Sequence, residues 1–262
     1  MTSLQGCFLG AVQGVTEFLP VSSSAHLLIF SKLLDIPPHG RIFDTLLNVG
    51  SLLAITVFFR KQIRSLILGF GDALTGKKGG DRDFFWTIFL ASLPTIVVFG
   101  AAEIIFRIDV EAPTILATSL IGFGLLLHWS DQRPVEEREI SRKDGVLIGL
   151  AQTTSLIPGV SRLGACLMIS RWLNHSRREG FRYAMVLSAP ATAGACFLRS
   201  LKLVAGEATL DNWWPMAGGV VAAFVFGMIS LVFMDKFLQR HTLLAFVIYR
   251  ILLGTALLIL HE

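Results

Sequence analysis

Glu17 lies in an otherwise apolar stretch, Gly10-Ala-Val-Gln-Gly-Val-Thr-Glu-Phe-Leu-Pro-Val-Ser-Ser-Ser-Ala-His26. A carboxylate in such a setting is costly enough to mark a functional site. Gln13 precedes it by four residues and shares its helical face. Beyond Pro20, the hydroxyls of Ser22, Ser23 and Ser24 open a second apolar helix, and a helix N-terminus with free N–H groups suits a phosphate. His26 follows Ser23 by three residues, placed as an acid, a base or a phosphate partner. A second segment contains Gln152, Pro158, Gly159, Ser161 and Arg162. Arg binds phosphate in a bidentate manner and keeps its charge at any depth, while Gly159 and Ser161 suit a turn where backbone approaches a ligand. Carboxylate, hydroxyl nucleophile, imidazole and guanidinium together make a set suited to phosphoryl transfer.

Simpler readings compete with these. Glu17 could only lock helices by pairing with a buried Arg, and one of the three serines is expected to be an ordinary helix cap. Asp44 and Asn48 lie one turn apart and could support the site, with Asn48 as a phosphate contact. Glu103 and Arg107 read as a plain i, i+4 ion pair, and Arg250 as a packing residue against a carbonyl or carboxylate. The small residues around Pro190 suggest close helix packing or a kink.

The elements that position these groups must sit in a membrane. Hydrophobic residues form 53% of the chain and charged residues 16%, far from the balance of a soluble domain. Runs at 42–59, 84–106, 113–129, 183–201, 214–234 and 243–260 read as six full spans. The two polar segments differ. Their prolines divide each into arms of roughly 12 residues, or ~18 Å of helix, too short to cross. They read as re-entrant hairpins, 2–34 and 144–172, whose non-helical tips must line a buried, wet cavity. Gly10, Gln13 and Ser22 recur as Gly149, Gln152 and Ser161, each pair 139 residues apart, while the prolines are 138 apart. Such duplication predicts one all-α membrane domain, 1–262, made of repeats at about 1–130 and 144–262 in inverted topology.

Charge supports the hairpins. Four basic clusters, at 60–82, 133–143, 171–182 and 236–240, hold sixteen of the 23 Lys and Arg residues. They share one side only if both polar segments are re-entrant, and the positive-inside rule makes that side cytoplasmic. The opposite side carries Lys32, Arg41, Arg107 and Lys202. These loops account for the net charge of +4 without any nucleic acid. The N-terminus lacks the basic start of a signal peptide. Cys7, Cys166 and Cys196 lie in apolar segments without metal or disulfide spacing. Residues 70–83 read as a flexible turn.

Gln13-Gly-Val-Thr-Glu17-Phe-Leu-Pro-Val-Ser-Ser-Ser-Ala-His26 and Pro158-Gly-Val-Ser161-Arg162 resemble motifs of the undecaprenyl-diphosphate phosphatases, or bacitracin-resistance proteins. Phe43-Asp44, Gly50 to Ala54, the Pro190 region and Phe246 to Gly254 extend the resemblance over essentially the whole chain. It implies hydrolysis of a polyprenyl diphosphate to the monophosphate and phosphate in a bacterial plasma membrane, with the site open to the periplasm. It implies Mg²⁺ or Ca²⁺ as cofactor, with Glu17 and Gln13 as the ligands, and a homodimer. By position, Glu17 is the principal carboxylate, Ser23 the candidate nucleophile, His26 the acid/base, and Arg162 with Ser161 the phosphate clamp. The alternative of Glu17 activating water directly stays open. Three positions depart from the family pattern: Gln13 where Glu is frequent, Ala25 where Gly is common, and Leu163 where Ser is common. A lipid-phosphate transporter or flippase is the rival function, because inverted repeats with broken helices also build carriers. A relative that only binds the lipid is a third.

Overall fold

The protein is described from a computed structural model covering residues 1–36, 40–105, 113–136, 138–204 and 213–260, without the side chains of 40–41, 102–105 and 202–204. The expected Glu103–Arg107 pair and the cations Arg41, Arg107 and Lys202 therefore lie outside the described residues or side chains. All regular structure among the described residues is helical. In chain order the α-helices are α1 (Ser3–Glu17), α2 (Ser23–Leu33), α3 (Gly40–Phe58), α4 (Arg60–Thr75), α5 (Gly80–Ile105), α6 (Pro113–Asp131), α7 (Arg142–Thr153), α8 (Arg162–Trp172), α9 (Arg177–Val204), α10 (Trp213–Phe237) and α11 (Leu244–Ile259).

Four helices, α5, α6, α9 and α10, are long and apolar enough to cross a membrane. A fifth span arises if α3 and α4, which meet at 91°, count as one bent unit, and α11 is apolar but has only 16 residues. Six full spans are expected from the sequence; the runs at 42–59 and 243–260 are the two that differ in form. The expected turn at 70–83 is mostly helix. α4 runs to Thr75, Gly76 ends it with φ +74°, and α5 starts at Gly80. The turn residues Gly and Lys are confined to 76–79 because Gly69 lets α4 pack against the Asp81 backbone of α5.

Both polar segments fold back on themselves, α1 beside α2 and α7 beside α8. Thr2 and Gln5 form a reciprocal capping box at the start of α1, and the Ser141 hydroxyl accepts from the Asp144 amide to start α7. α1 lies on α10 and α7 lies on α5. Small residues make both approaches possible: a Cβ on Gly10 would overlap the Gly219 carbonyl, and one on Gly149 the Ala91 carbonyl. Close backbone packing of this kind holds helices together where burial of apolar surface is no driving force.

The spacing of 139 residues persists in the backbone. Ser22 and Ser161 have φ/ψ of 72/97° and 71/121°. Asp35 and Asn174, which follow α2 and α8, have φ of 47° and 66°. The Ile36 and His175 amides bond back to the Ser31 and Ser170 carbonyls at 2.9 and 3.0 Å. Asn and Asp tolerate a left-handed conformation locally. A serine at positive φ with extended ψ is strained by about 1–3 kcal/mol, the kind of strain that gathers at functional sites.

All four basic clusters meet at one end of the bundle. Arg142 pairs with Asp83 at 2.6 Å, Arg177 with Asp131 at 2.6 Å, and Arg178 and Arg182 with Asp235 at 2.7 Å each. Arg138 joins Asp144 at 2.6 Å and reaches the Leu173 carbonyl. Exposed Trp129 lies at this end, while exposed Trp213 and Trp214 begin α10 at the other, as aromatic belts do. The three cysteines are free.

Candidate active site

The main core gathers both hairpin tips. Phe18 and Val21 pack with Leu163, Cys166 and Leu167, against Phe181 of α9, Leu231 of α10 and Phe246 of α11. Leu163 is buried in that core, so its departure from the family pattern places an apolar side chain in packing. Ala25 is also fully buried, beside Leu116 and Leu120 of α6.

Arg250 fastens the tips to one another. It is fully buried and donates through Nη1 to the Pro20 and Val160 carbonyls at 3.0 Å each, and through Nη2 to Gly159 at 2.9 Å. Nε reaches the Leu120 carbonyl at 3.2 Å. These partners are carbonyls, in keeping with the packing role expected of Arg250. Pro20 and Gly159 are again 139 residues apart, so the structural match passes through the point where the prolines fall out of step. Gly159 has φ +93° and its Cα faces the Leu116 carbonyl, which leaves no room for a side chain.

Glu17 is the hub of the site. Its Oε2 accepts from Ser23 Oγ at 2.6 Å and from Gln13 Nε2 at 3.2 Å, while Oε1 lies 3.5 Å from Arg162 Nη2. Ser23 and Arg162 are the first residues of α2 and α8, at equivalent places in the two hairpins, and both converge on this carboxylate. At the same spacing of 139, the second hairpin has Leu156 where the first has Glu17, so the carboxylate has no counterpart there. The ion pair weighed as the simpler reading of Glu17 is present, and both partners keep some exposure, 14% for Glu17 and 26% for Arg162. Gln13 is buried and donates through the same Nε2 to Asn48 Oδ1 at 3.2 Å, which brings α3 into the site.

The serines divide the work. Ser161 caps α8, its Oγ accepting from the Gly164 amide at 3.2 Å. Ser22, its counterpart, makes no side-chain cap bond, and its hydroxyl instead meets that of exposed Ser24 at 3.2 Å. The first-turn amides of α2 are therefore left without that acceptor, which favours an anion there. His26 stands apart from Ser23. Its Nδ1 lies 2.7 Å from the Ser22 carbonyl, and its Nε2 2.5 Å from the Tyr249 hydroxyl, with the rings stacked. A carbonyl only accepts, so Nδ1 carries the proton, and in the neutral ring Nε2 accepts from the Tyr249 hydroxyl. An acid/base role for His26 requires it to turn away from these partners.

Two contacts were not singled out for the site from sequence. Thr192 accepts a hydrogen bond from Arg162 Nη1, and Tyr249 holds His26. The signal was faint: Thr192 sits two residues past Pro190 and Tyr249 next to Arg250.

Among the described residues, no three His, Cys, Asp or Glu side chains converge as metal ligands. The oxygen donors of Glu17, Gln13, Asn48 and Ser23 suit a hard cation that takes its remaining ligands from phosphate and water. They do not make a complete cage of their own.

A helical membrane protein, with a partly exposed carboxylate held between two hairpin tips by a serine and an arginine, is the class that fold and site define. The chain belongs to the bacitracin resistance protein BacA family, whose model matches residues 6–256. It is 38% identical to undecaprenyl-diphosphatase 2 of Stutzerimonas stutzeri, covering 99% of this chain and 98% of the relative. It is 37% identical to the undecaprenyl-diphosphatase of Geobacter metallireducens, covering 99% and 98%. For the undecaprenyl-diphosphatase of Erythrobacter litoralis the identity is 35%, covering 98% and 99%.

Proposed function

We propose that the protein hydrolyses undecaprenyl diphosphate to the monophosphate and inorganic phosphate, returning the lipid carrier to cell-wall synthesis and so conferring bacitracin resistance. The observation that carries this is the convergence of Ser23 and Arg162 on Glu17. A carrier needs groups that bind phosphate but has no need of a hydroxyl donating to a carboxylate at 2.6 Å. The rival transporter reading gains no support from that arrangement.

In the proposed reaction the diphosphate displaces Arg162 from Glu17 and takes the guanidinium as its clamp. The first-turn amides of α2 receive a second set of phosphate oxygens. Ser23 Oγ attacks the terminal phosphorus, the bond to the bridging oxygen breaks, and the Ser23 proton passes to Glu17. Lipid monophosphate departs. Water then cleaves the phosphoserine, releasing phosphate and restoring Ser23. His26 acts through the Ser22 carbonyl as a positioning residue. Mg²⁺ or Ca²⁺ would be held by Glu17 with the amide oxygens of Gln13 and Asn48, and would offset phosphate charge.

The same reading makes the molecule an inverted repeat with six membrane crossings and two re-entrant hairpins. The gathering of basic clusters at one end and the backbone matches at a spacing of 139 support it. With the basic end in the cytoplasm of a bacterial inner membrane, the first hairpin enters from the periplasm, where the site opens. Assembly as a homodimer belongs to this proposal through the family alone.

Phosphate release from C15 and C55 polyprenyl diphosphates by detergent-purified protein, with and without Mg²⁺ or Ca²⁺, tests the proposal. Wild type turns over, Glu17→Gln loses at least about 100-fold, the scale of a lost charge-stabilising group, and Ser23→Ala loses as much. Near-normal turnover by Ser23→Ala removes the covalent route in favour of water activated by Glu17. No release by folded wild type on either substrate defeats the enzyme reading.

A further inference from the structure

A second polar feature lies at the basic end of the bundle and shares no residue with the Glu17 site. A cavity of about 420 Å³ opens there, lined by Lys78, Arg82, Asp83, Trp86, Leu90 and Arg142. Asp83 is spent on Arg142 at 2.6 Å. Three cations against one carboxylate leave a surplus of two positive charges.

The lining is graded along one helix. Arg82, Trp86 and Leu90 follow one another at intervals of four on the same face of α5. Over about 12 Å of helix that face passes from a guanidinium, through an indole, to an exposed aliphatic side chain. This is the polarity sequence of a lipid leaflet from headgroup to acyl chain. α4, alongside, is built for the same boundary. It leaves α3 at 91°, presents Ile67, Phe70 and Leu74 as an exposed apolar stripe, and carries exposed Arg60, Lys61 and Arg64 on the adjoining face.

We propose that this cavity seats the headgroup of an anionic phospholipid, with Lys78, Arg82 and Arg142 around its phosphate and Trp86 and Leu90 along the start of its acyl chains. Basic pockets beside membrane helices recognise lipid in this way. The assignment rests on the chain being embedded in a membrane and not on the hydrolytic reading.

Native mass spectrometry of the full-length protein, released from micelles doped with equal phosphatidylglycerol and phosphatidylcholine, tests it. Wild type should retain phosphatidylglycerol in preference to phosphatidylcholine. Lys78→Gln with Arg82→Gln should weaken that retention about 30-fold, as two cations at ~1 kcal/mol each require. This pair leaves the Arg142–Asp83 bridge in place, and an unchanged Tm in pure phosphatidylcholine micelles establishes that the variant is folded. If it is not, quenching of Trp86 in otherwise wild-type protein by brominated phosphatidylglycerol, but not by brominated phosphatidylcholine, decides the matter, with Trp86→Phe as the blank. Equal retention of the two lipids, equal retention by wild type and folded variant, or equal quenching overturns the proposal. Displacement of the lipid by millimolar inorganic phosphate overturns it too, in favour of a site for free phosphate.

Discussion

Replacing Arg250 with Met should separate the two hairpin tips without touching any group assigned to the chemistry. The guanidinium is fully buried and bonds the Pro20, Gly159 and Val160 carbonyls at 2.9–3.0 Å. Met has similar length and no donor. Three buried carbonyls then lose their partner, at about 1–3 kcal/mol each, so the local cost is roughly 3–9 kcal/mol before water enters. The tips are tied to the start of α2 and α8, hence to Ser23 and Arg162. A displacement of about 1 Å between reacting groups costs on the order of 100-fold in rate. Kinetics on a C15 diphosphate should show kcat lower by about that factor, with a smaller change in KM, and the Tm in detergent should fall. Arg250→Lys keeps the charge but cannot span all three carbonyls, and should recover only part of the rate. A folded Arg250→Met protein with kcat within threefold of wild type would refute the idea that this residue sets the distance between the tips.

Other expectations follow from individual contacts. Thr192→Val removes the hydrogen-bond acceptor of Arg162 while preserving shape. A loss of ~1 kcal/mol should raise KM about fivefold, and unchanged steady-state constants would show that Thr192 does not orient the clamp. Gly149→Ala must push α7 away from the Ala91 backbone, which should cost about 1–3 kcal/mol and lower Tm by roughly 2–4 °C per kcal/mol. Gly122→Ala on α6, where a Cβ meets nothing, is the control, and equal Tm values for the two would contradict the packing. Burial pushes the Asp144 carboxyl up, but hydrogen bonds from Arg138 and Ser141 and the Arg138 charge outweigh it and hold the carboxyl below its ordinary value of 3.8. Its stabilising effect is therefore complete above that value and disappears as pH falls below it. The Tm advantage of wild type over Asp144→Asn should shrink between pH 5 and pH 2.5, and an advantage that grows on acidification would reverse the assigned sign.

The sequence alone determined that the chain is a helical membrane protein, that Glu17 and Arg162 are unusual charges in it, and that two segments share a residue pattern at a spacing of 139. Composition, the expense of ionisable groups in lipid and a repeated spacing are local or countable, so no coordinates are needed to read them. Basic clusters could likewise be assigned to one end by counting, and Asp83, Asp131 and Asp235 are the acids that tie them there. α4 was missed because its apolar stripe is broken by Arg60, Lys61, Arg64 and glycines, which read as loop until α5 is beside it.

Only the tertiary structure decided which groups meet. Ser23 and His26 share a helical face on paper, yet Ser23 turns to Glu17 while His26 turns to Tyr249, more than two hundred residues away. Ser22 and Ser161 have the same backbone, but one caps its helix and the other does not. The proline mismatch suggested a shifted register, whereas Arg250 grips Pro20 and Gly159 as equivalents. Helical periodicity specifies a face and never the partner opposite it. That partner depends on how α1, α8, α9 and α11 pack, and a pattern of spacings along one chain does not contain it.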